Sequence, residues 1–131
     1  MAIHVRIVSP VYSAFDGMAA YVVVPAVDGE MGIAPLHASE ICAVDRGLVR
    51  ICDAKMGQTD HVIAIGEGYV QIAGDEVVIL TERARDLAKI DRDEVASQLA
   101  GFEDELGVLS ENDARRSYLY NEVAWCKLLL A

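Results

Sequence analysis

The segment Asp28-Gly29-Glu30-Met31-Gly32-Ile33-Ala34-Pro35-Leu36-His37 sets two glycines, a proline, a histidine and two carboxylates between two apolar runs. Gly29 and Gly32 permit backbone angles that other residues resist. Pro35 fixes its own φ and steers Ala34 away from the helical region. The segment therefore reads as a tight, exposed loop holding a short strand. A loop of this kind on a β scaffold is a candidate contact surface, although composition alone favours an ordinary hairpin connection.

On both sides of it the chain keeps a strand pattern. Ile3, Val5 and Ile7 alternate with His4, Arg6 and Val8, the period of a half-buried strand. Ser9-Pro10 ends it, and 12–17 and 19–24 are two further extended pieces, the second closed by Pro25. Beyond the loop, 41–44 and 47–52 flank Asp45-Arg46-Gly47, while 60–65 and 69–72 flank Gly66-Glu67-Gly68. Ala73-Gly74-Asp75 then turns into 76–81. This makes eight to ten short strands with turn signals every six to ten residues. Such spacing predicts an all-β sandwich or barrel rather than alternating strands and helices.

The period changes after Arg85. Asp91 offers an N-cap with Glu94 three residues on, and Val95, Leu99, Phe102 and Leu106 form one helical stripe. Gly101 lies inside this helix at a cost of about 1 kcal/mol relative to alanine, and Gly107 stands where a helix-ending residue is expected. Glu103, Asp104 and Glu105 lie at the wrong end for the helix dipole. A second helix is expected from Ser110, with Asp113 as its capping partner. Its stripe is Leu119, Val123, Cys126 and Leu130, widened by Ala114 and Tyr118. Roughly three residues between the helices force an antiparallel hairpin. The expected organisation is a sandwich over residues 1–86 and a two-helix hairpin over 87–131. Ala124 to Leu130 is more apolar than a free surface helix, which marks a docking segment.

Bulk properties exclude several classes of function. A formal net charge of −10 opposes nucleic-acid binding and adhesion to anionic membranes. With 131 residues, 53% hydrophobic and 24% charged, the chain has enough apolar content for a packed domain and a small appendage. Cys42, Cys52 and Cys126 contain no C-x-x-C pair and fit reduced, partly buried thiols. No apolar run approaches ~18 residues, and the N-terminus carries no secretion signal. A soluble, acidic, intracellular protein without direct membrane insertion is expected.

A catalytic set is not visible. His4, His37 and His61 lie far apart without ligand spacing, and no two sit two residues apart on a strand as a cupin-like metal site requires. Asp28 and Glu30 read as solvated loop charges rather than a general acid–base pair. No serine has the Gly-x-Ser-x-Gly context. Gly66-Glu67-Gly68 precedes a strand, so it is no phosphate cradle. The residues point away from an enzyme and from a bound cofactor.

The order of segments is specific. The loop Gly29-Glu30-Met31-Gly32-Ile33 with Pro35 and His37 comes first, then Gly47-Leu48-Val49-Arg50-Ile51 and Gly66-Glu67-Gly68-Tyr69-Val70. The strand Val77-Val78-Ile79-Leu80 and a helical hairpin follow. Across nearly its whole length the chain resembles the epsilon subunits of bacterial F-type ATP synthases. The resemblance implies a flattened β-sandwich, a two-helix domain and a non-catalytic place in the rotor. That place lies between the gamma subunit and the ring of c subunits, at the cytoplasmic face of the cell membrane. It also implies that Glu30, Met31, Gly32, Ile33 and His37 line the contact with the c-ring. A reach of the second helix to the catalytic beta and alpha subunits is implied too, for which Arg115 and Arg116 are the adjacent basic pair.

The chain departs from the family pattern in three places. Met31 replaces a leucine, and the usual Gly-His-Ala-Pro-Leu reads Leu36-His37-Ala38-Ser39-Glu40. The Ile/Leu-Asp-x-x-Arg-Ala with which some members bind ATP reads Ile90-Asp91-Arg92-Asp93-Glu94-Val95. Glu94 would repel a phosphate, so weak or absent ATP binding is expected. From Ala88 onward five basic residues face nine acidic ones, a poor charge for inhibition through an acidic partner. An ATP-sensing regulatory module and a small cupin-like metalloenzyme are the alternative readings. Truncation after Asp86 is expected to leave a sandwich that still unfolds in one cooperative transition on heating. Loss of that transition would sink the two-domain reading.

Overall fold

A computed structural model describes residues 2–131, Met1 lying outside the described residues. The chain divides into two compact units, one ending at Lys89 and one running Ile90–Ala131. The first unit holds β1 Ile3–Val8, β2 Ser13–Ala19, β3 Tyr21–Ala26, β4 Gly29–Ile33 and β5 Glu40–Val44. It continues with β6 Gly47–Cys52, β7 His61–Ile65, β8 Gly68–Ala73, β9 Glu76–Thr81 and β10 Ala84–Asp86, then a 3-10 turn over Leu87–Lys89. The strands form one continuous sheet in the order β10-β7-β6-β3-β5-β8-β9-β1-β2, with β4 paired to β3. Folded on itself, this sheet is the expected sandwich.

Alternation explains the core. Ile3, Val5 and Ile7 point inward from β1, and the same period buries Val22 and Val24, Val49 and Ile51, Ile63 and Ile65, and Val77 and Ile79. Each such side chain contributes about 1.5–3 kcal/mol by leaving water. The two ends of the strand order meet through Tyr12, whose hydroxyl accepts from the Ala84 amide at 3.2 Å and donates to the Ala84 carbonyl. One expectation changes here. Pro25 does not close β3, which runs on to Ala26. Val23 is the last β3 residue paired with β6, and Ala26 is the first paired with β5. Pro25 lies in the gap, where its missing N–H interrupts no ladder, and its carbonyl accepts from the Asp45 amide at 2.8 Å.

The second unit contains α1 Arg92–Val108 and α2 Arg115–Leu129. Asp91 caps α1 as expected, accepting from the amides of Asp93 at 3.1 Å and Glu94 at 3.2 Å. The other ends differ from the sequence reading. Gly107 lies inside α1, which stops at Leu109 in an extended conformation. Ser110 does not start α2; it begins a turn in which its carbonyl accepts from the Asp113 amide, and Ala114 precedes the helix without a side-chain cap. Asp113 instead accepts from the Arg115 amide at 2.9 Å. The connection therefore spans 109–114. Leu119, Val123, Trp125, Cys126 and Leu129 are the buried side of α2, while Tyr118 is exposed and Leu130 is the cap residue. Among the described residues no helix is long and apolar enough to cross a membrane.

His4 ties three strands together. Its Nε2 lies 2.5 Å from an Asp16 carboxylate oxygen on β2, and its Nδ1 lies 3.4 Å from Glu76 on β9. The hydrogen bond to Asp16 raises its pKa above the ordinary 6.5, against some desolvation, and the charges of Asp16 and Glu76 add to the rise. A raised folded-state pKa stabilises fully below the unfolded value, and that contribution is lost as pH climbs through the folded one. His4→Gln is accordingly expected to lower the Tm at pH 5.5, with the gap to the parent protein narrowing by pH 9. A gap independent of pH would contradict the ion pairing.

Candidate functional site

β3 and β4 form a hairpin joined by the two-residue turn Val27-Asp28. Gly29 takes φ +122° directly after that turn, a conformation L side chains resist. The register then decides which face each β4 residue joins. Val22 and Val24 point into the core, so their partners Ile33 and Met31 do the same. Ile33 is 0% exposed. Its expected place at a contact surface is therefore corrected: the side chain is part of the core. Met31 is half-buried and packs on that core. Glu30 and Gly32 face outward.

Glu30 reaches across β3 to Arg50 on β6. The guanidinium donates to both carboxylate oxygens, Nη1 at 2.8 Å and Nη2 at 3.2 Å. Such a two-pronged pair fixes direction, yet at an exposed site it adds only about 0–1 kcal/mol. Gly32 is needed for a different reason: Tyr21 lies over it, and a Cβ there would overlap the tyrosine hydroxyl.

The hairpin runs into a turn at Ala34-Pro35-Leu36-His37, closed by the His37 amide donating to the Ala34 carbonyl at 3.2 Å. Pro35 suits the second position of either common turn type, and the positive φ of the next residue makes this one the type that usually carries glycine there. Here it is Leu36, at φ 70° and 77% exposed. His37 folds back, with Nδ1 2.8 Å from the Ala38 carbonyl and Nε2 3.7 Å from Glu40. Glu30 and His37 thus have separate partners, Arg50 for one and Glu40 for the other.

On the β5 side the hairpin borders an open cleft of about 460 Å³ whose lining includes Asp28, Glu30, Met31, Glu40, Ile41 and Cys42. The Cys42 thiol donates to Glu40 at 3.1 Å. That hydrogen bond, with desolvation and the charges of Glu40 and Asp28, pushes the thiol's pKa up, so it stays protonated. The cleft is acidic. Among the described residues no three His, Cys, Asp or Glu are grouped to hold an ion.

The family model for the ATP synthase Delta/Epsilon chain beta-sandwich domain matches residues 2–86. The ATP synthase epsilon chain of an Exiguobacterium strain is 34% identical over 119 residues, covering 89% of this chain and 86% of that one. The epsilon chain of Synechococcus sp. RCC307 is 33% identical over 103 residues, covering 79% and 74% respectively. The chain belongs to the ATP synthase epsilon family. Among solved structures, a chain of the Euglena gracilis mitochondrial ATP synthase superposes with a TM-score of 0.76 at 18% identity. The match covers 98% of this chain and 79% of that one. A chain of the Tetrahymena thermophila enzyme's central stalk and c-ring gives 0.61 at 15% identity, over 99% and 95%. These two likenesses concern the fold.

Within this epsilon fold the arginine pair of the hairpin is engaged internally. Arg115 is held by Asp113, with Nε at 3.1 Å and Nη2 at 2.9 Å. The side-chain and backbone bonds from Arg115 lower the Asp113 pKa to about 2. Arg116 turns toward the end of α1. Sequence reading missed Arg50, Tyr21 and Cys42 as members of the hairpin's surroundings. Their links to Glu30, Gly32 and Glu40 depend on sheet register, and no local motif announces them. The sequence reading marked Leu36 as standing where the family has glycine, and the structure adds that its φ is 70°. Leu36→Gly is expected to stabilise the fold by about 1 kcal/mol by removing the left-handed penalty. A thermal melt reads this as a rise of a few degrees, and an unchanged or lower Tm would refute the strain.

Proposed function

We propose that this chain is a non-catalytic rotor subunit of a proton-translocating ATP synthase, linking the gamma subunit to the c-ring at the cytoplasmic face of the cell membrane. The observation that carries the reading is the acidic hairpin end of a sandwich belonging to the epsilon family. Asp28, Glu30 and Glu40 border one open cleft, a surface suited to polar or basic loops. Glu30, Gly32 and His37 are the proposed c-ring contacts. Met31 supports them from beneath, and Ile33 anchors β4 in the core. Arg50 sets the direction of Glu30, so the contact fixes register more than affinity.

A second surface suits gamma. Tyr69 of β8 pairs with Ala43 of β5 and with Leu80 of β9, which in turn pairs with Val8 of β1. This cross-strand row lies on the outer face, with Tyr69 60% and Leu80 50% exposed, and Ile41, two residues before Ala43 on β5, is 70% exposed. Contiguous apolar exposure of this sort marks a protein contact, and each large side chain covered there contributes about 1.5–3 kcal/mol. The reading has no use for bound ATP. The amides at the start of α1 are already taken by Asp91, with Asp93 and Glu94 beside them, so carboxylates occupy the position a phosphate would need. Reach to the beta and alpha subunits would require Arg115 and Arg116 to leave their present partners.

The assembled complex provides the test. Glu30→Cys is expected to cross-link to a c subunit that carries a cysteine introduced in its polar loop, on mild oxidation, while a tagged chain brings down gamma. Tyr69→Asp with Leu80→Asp is expected to lose gamma from the pull-down while the isolated chain keeps its fold. Absence of both the cross-link and gamma from the parent chain's preparation would overturn the rotor reading.

A further inference from the structure

The last carbonyls of any helix lack donors within the helix, and its dipole makes that end negative. α1 aggravates the problem, because no basic residue lies in its last turn. Glu103, Asp104 and Glu105 stand within its last two turns instead, and the helix ends at Leu109 without a left-handed glycine to cap it. Within α1 the Leu106 carbonyl accepts only a long bond, 3.4 Å, from the Leu109 amide, and further donors come from the other helix. Arg116 Nη1 lies 3.3 Å from the carbonyl of Leu106 and 3.3 Å from that of Leu109. Its Nη2 donates to the Tyr120 hydroxyl at 2.9 Å, and its guanidinium sits 5.4 Å from that ring's centre. At the opposite end of the hairpin, Arg92 Nη2 donates at 2.7 Å to the carbonyl of Leu130, the cap residue of α2.

The arrangement is reciprocal. Arg92 is the first residue of α1 and Arg116 the second of α2. An arginine in the first turn opposes the dipole of its own helix, so each is unfavourable where it stands alone. Antiparallel pairing brings each beside the negative end of its neighbour, and the sign reverses. We infer that Arg92 and Arg116 form a mutual clasp that holds the hairpin shut without any ligand, each capping the end of the other's helix. Releasing one helix uncaps both, and it returns both guanidinium groups to the unfavourable ends of their own helices. Arg115 has no part in the clasp, being held by Asp113 within the connection.

Amide hydrogen exchange on the full chain tests this, because the effects should cross between helices. Arg116→Gln is expected to speed exchange about tenfold in the last turn of α1, the size expected for losing charge-assisted hydrogen bonds. Arg92→Gln should do the same in the last turn of α2, and the double variant should open both ends. Amides of β1 serve as the internal control that the sandwich remains folded. Effects confined to the mutated helix's own first turn, or exchange within twofold of the parent protein in the partner helix, would overturn the clasp. Arg115→Gln, expected to leave the α1 end unchanged, separates the clasp from a general loss of positive charge.

Discussion

β3 is the strand on which the sandwich depends, because among the described residues it alone changes partners along one edge. Tyr21 to Val23 pair with β6, Ala26 pairs with β5, and β4 runs along the opposite edge from Val22 to Ala26. Every backbone N–H and C=O so buried must find a partner, and a strand that hands over from one layer to another risks orphans at the crossing. Proline at the crossing removes one donor where none could be paired. The Asp45 amide satisfies the remaining carbonyl. The handover also decides where β4 sits, and with it the direction of the Gly29–Ile33 segment. A side chain on β4 is thereby two strands from β6, the separation that a glutamate and an arginine can bridge.

The strands were legible wherever one face is buried, because alternation such as Ile3, Val5, Ile7 admits a single reading; their order in the sheet was not. The sandwich followed by two helices came from that grammar and its change after Arg85. Face assignment within β4 was harder. Its segment carries two glycines and only two large apolar residues, so the period is too sparse to show that Ile33 and Met31 turn inward. The register with Val22 and Val24 settles it, and register is a property of two strands together. Helix starts and stops divide along the same line. Asp91 caps α1 with its own side chain and could be read locally. The end of α1 could not, because its cap is a guanidinium carried on α2.

Charge follows a consistent economy in this acidic chain. Each histidine faces a carboxylate: His4 meets Asp16 and Glu76, His37 meets Glu40, and His61 meets Asp53. Arg50 and Arg115 are likewise committed to Glu30 and Asp113. With 21 acidic residues against 11 Lys and Arg, such pairs leave the excess negative charge elsewhere on the surface. The acidic cleft beside the β3–β4 hairpin is one place where that excess collects. Exposed pairs of this kind contribute little to stability, so their main effect is to hold particular side chains in particular directions.

That distinction matters most at the hairpin and the turn that follows it. Glu30 owes its direction to a bidentate pair across a strand, and Gly32 owes its identity to Tyr21 lying over it. Neither depends on the turn at Leu36. The departure from the family's Gly-His-Ala-Pro run therefore acts on a different group, His37, which is placed by the strained turn and by Glu40. A chain that replaces glycine at φ 70° with leucine accepts about 1–2 kcal/mol of backbone cost and gains an exposed apolar side chain at the tip. The two halves of the original ten-residue segment are thus under separate control. The first half is rigid, oriented by β6 and set by register; the second is strained and carries the residues that distinguish this chain. A contact made through Glu30 tolerates change at Leu36, whereas one made through His37 does not.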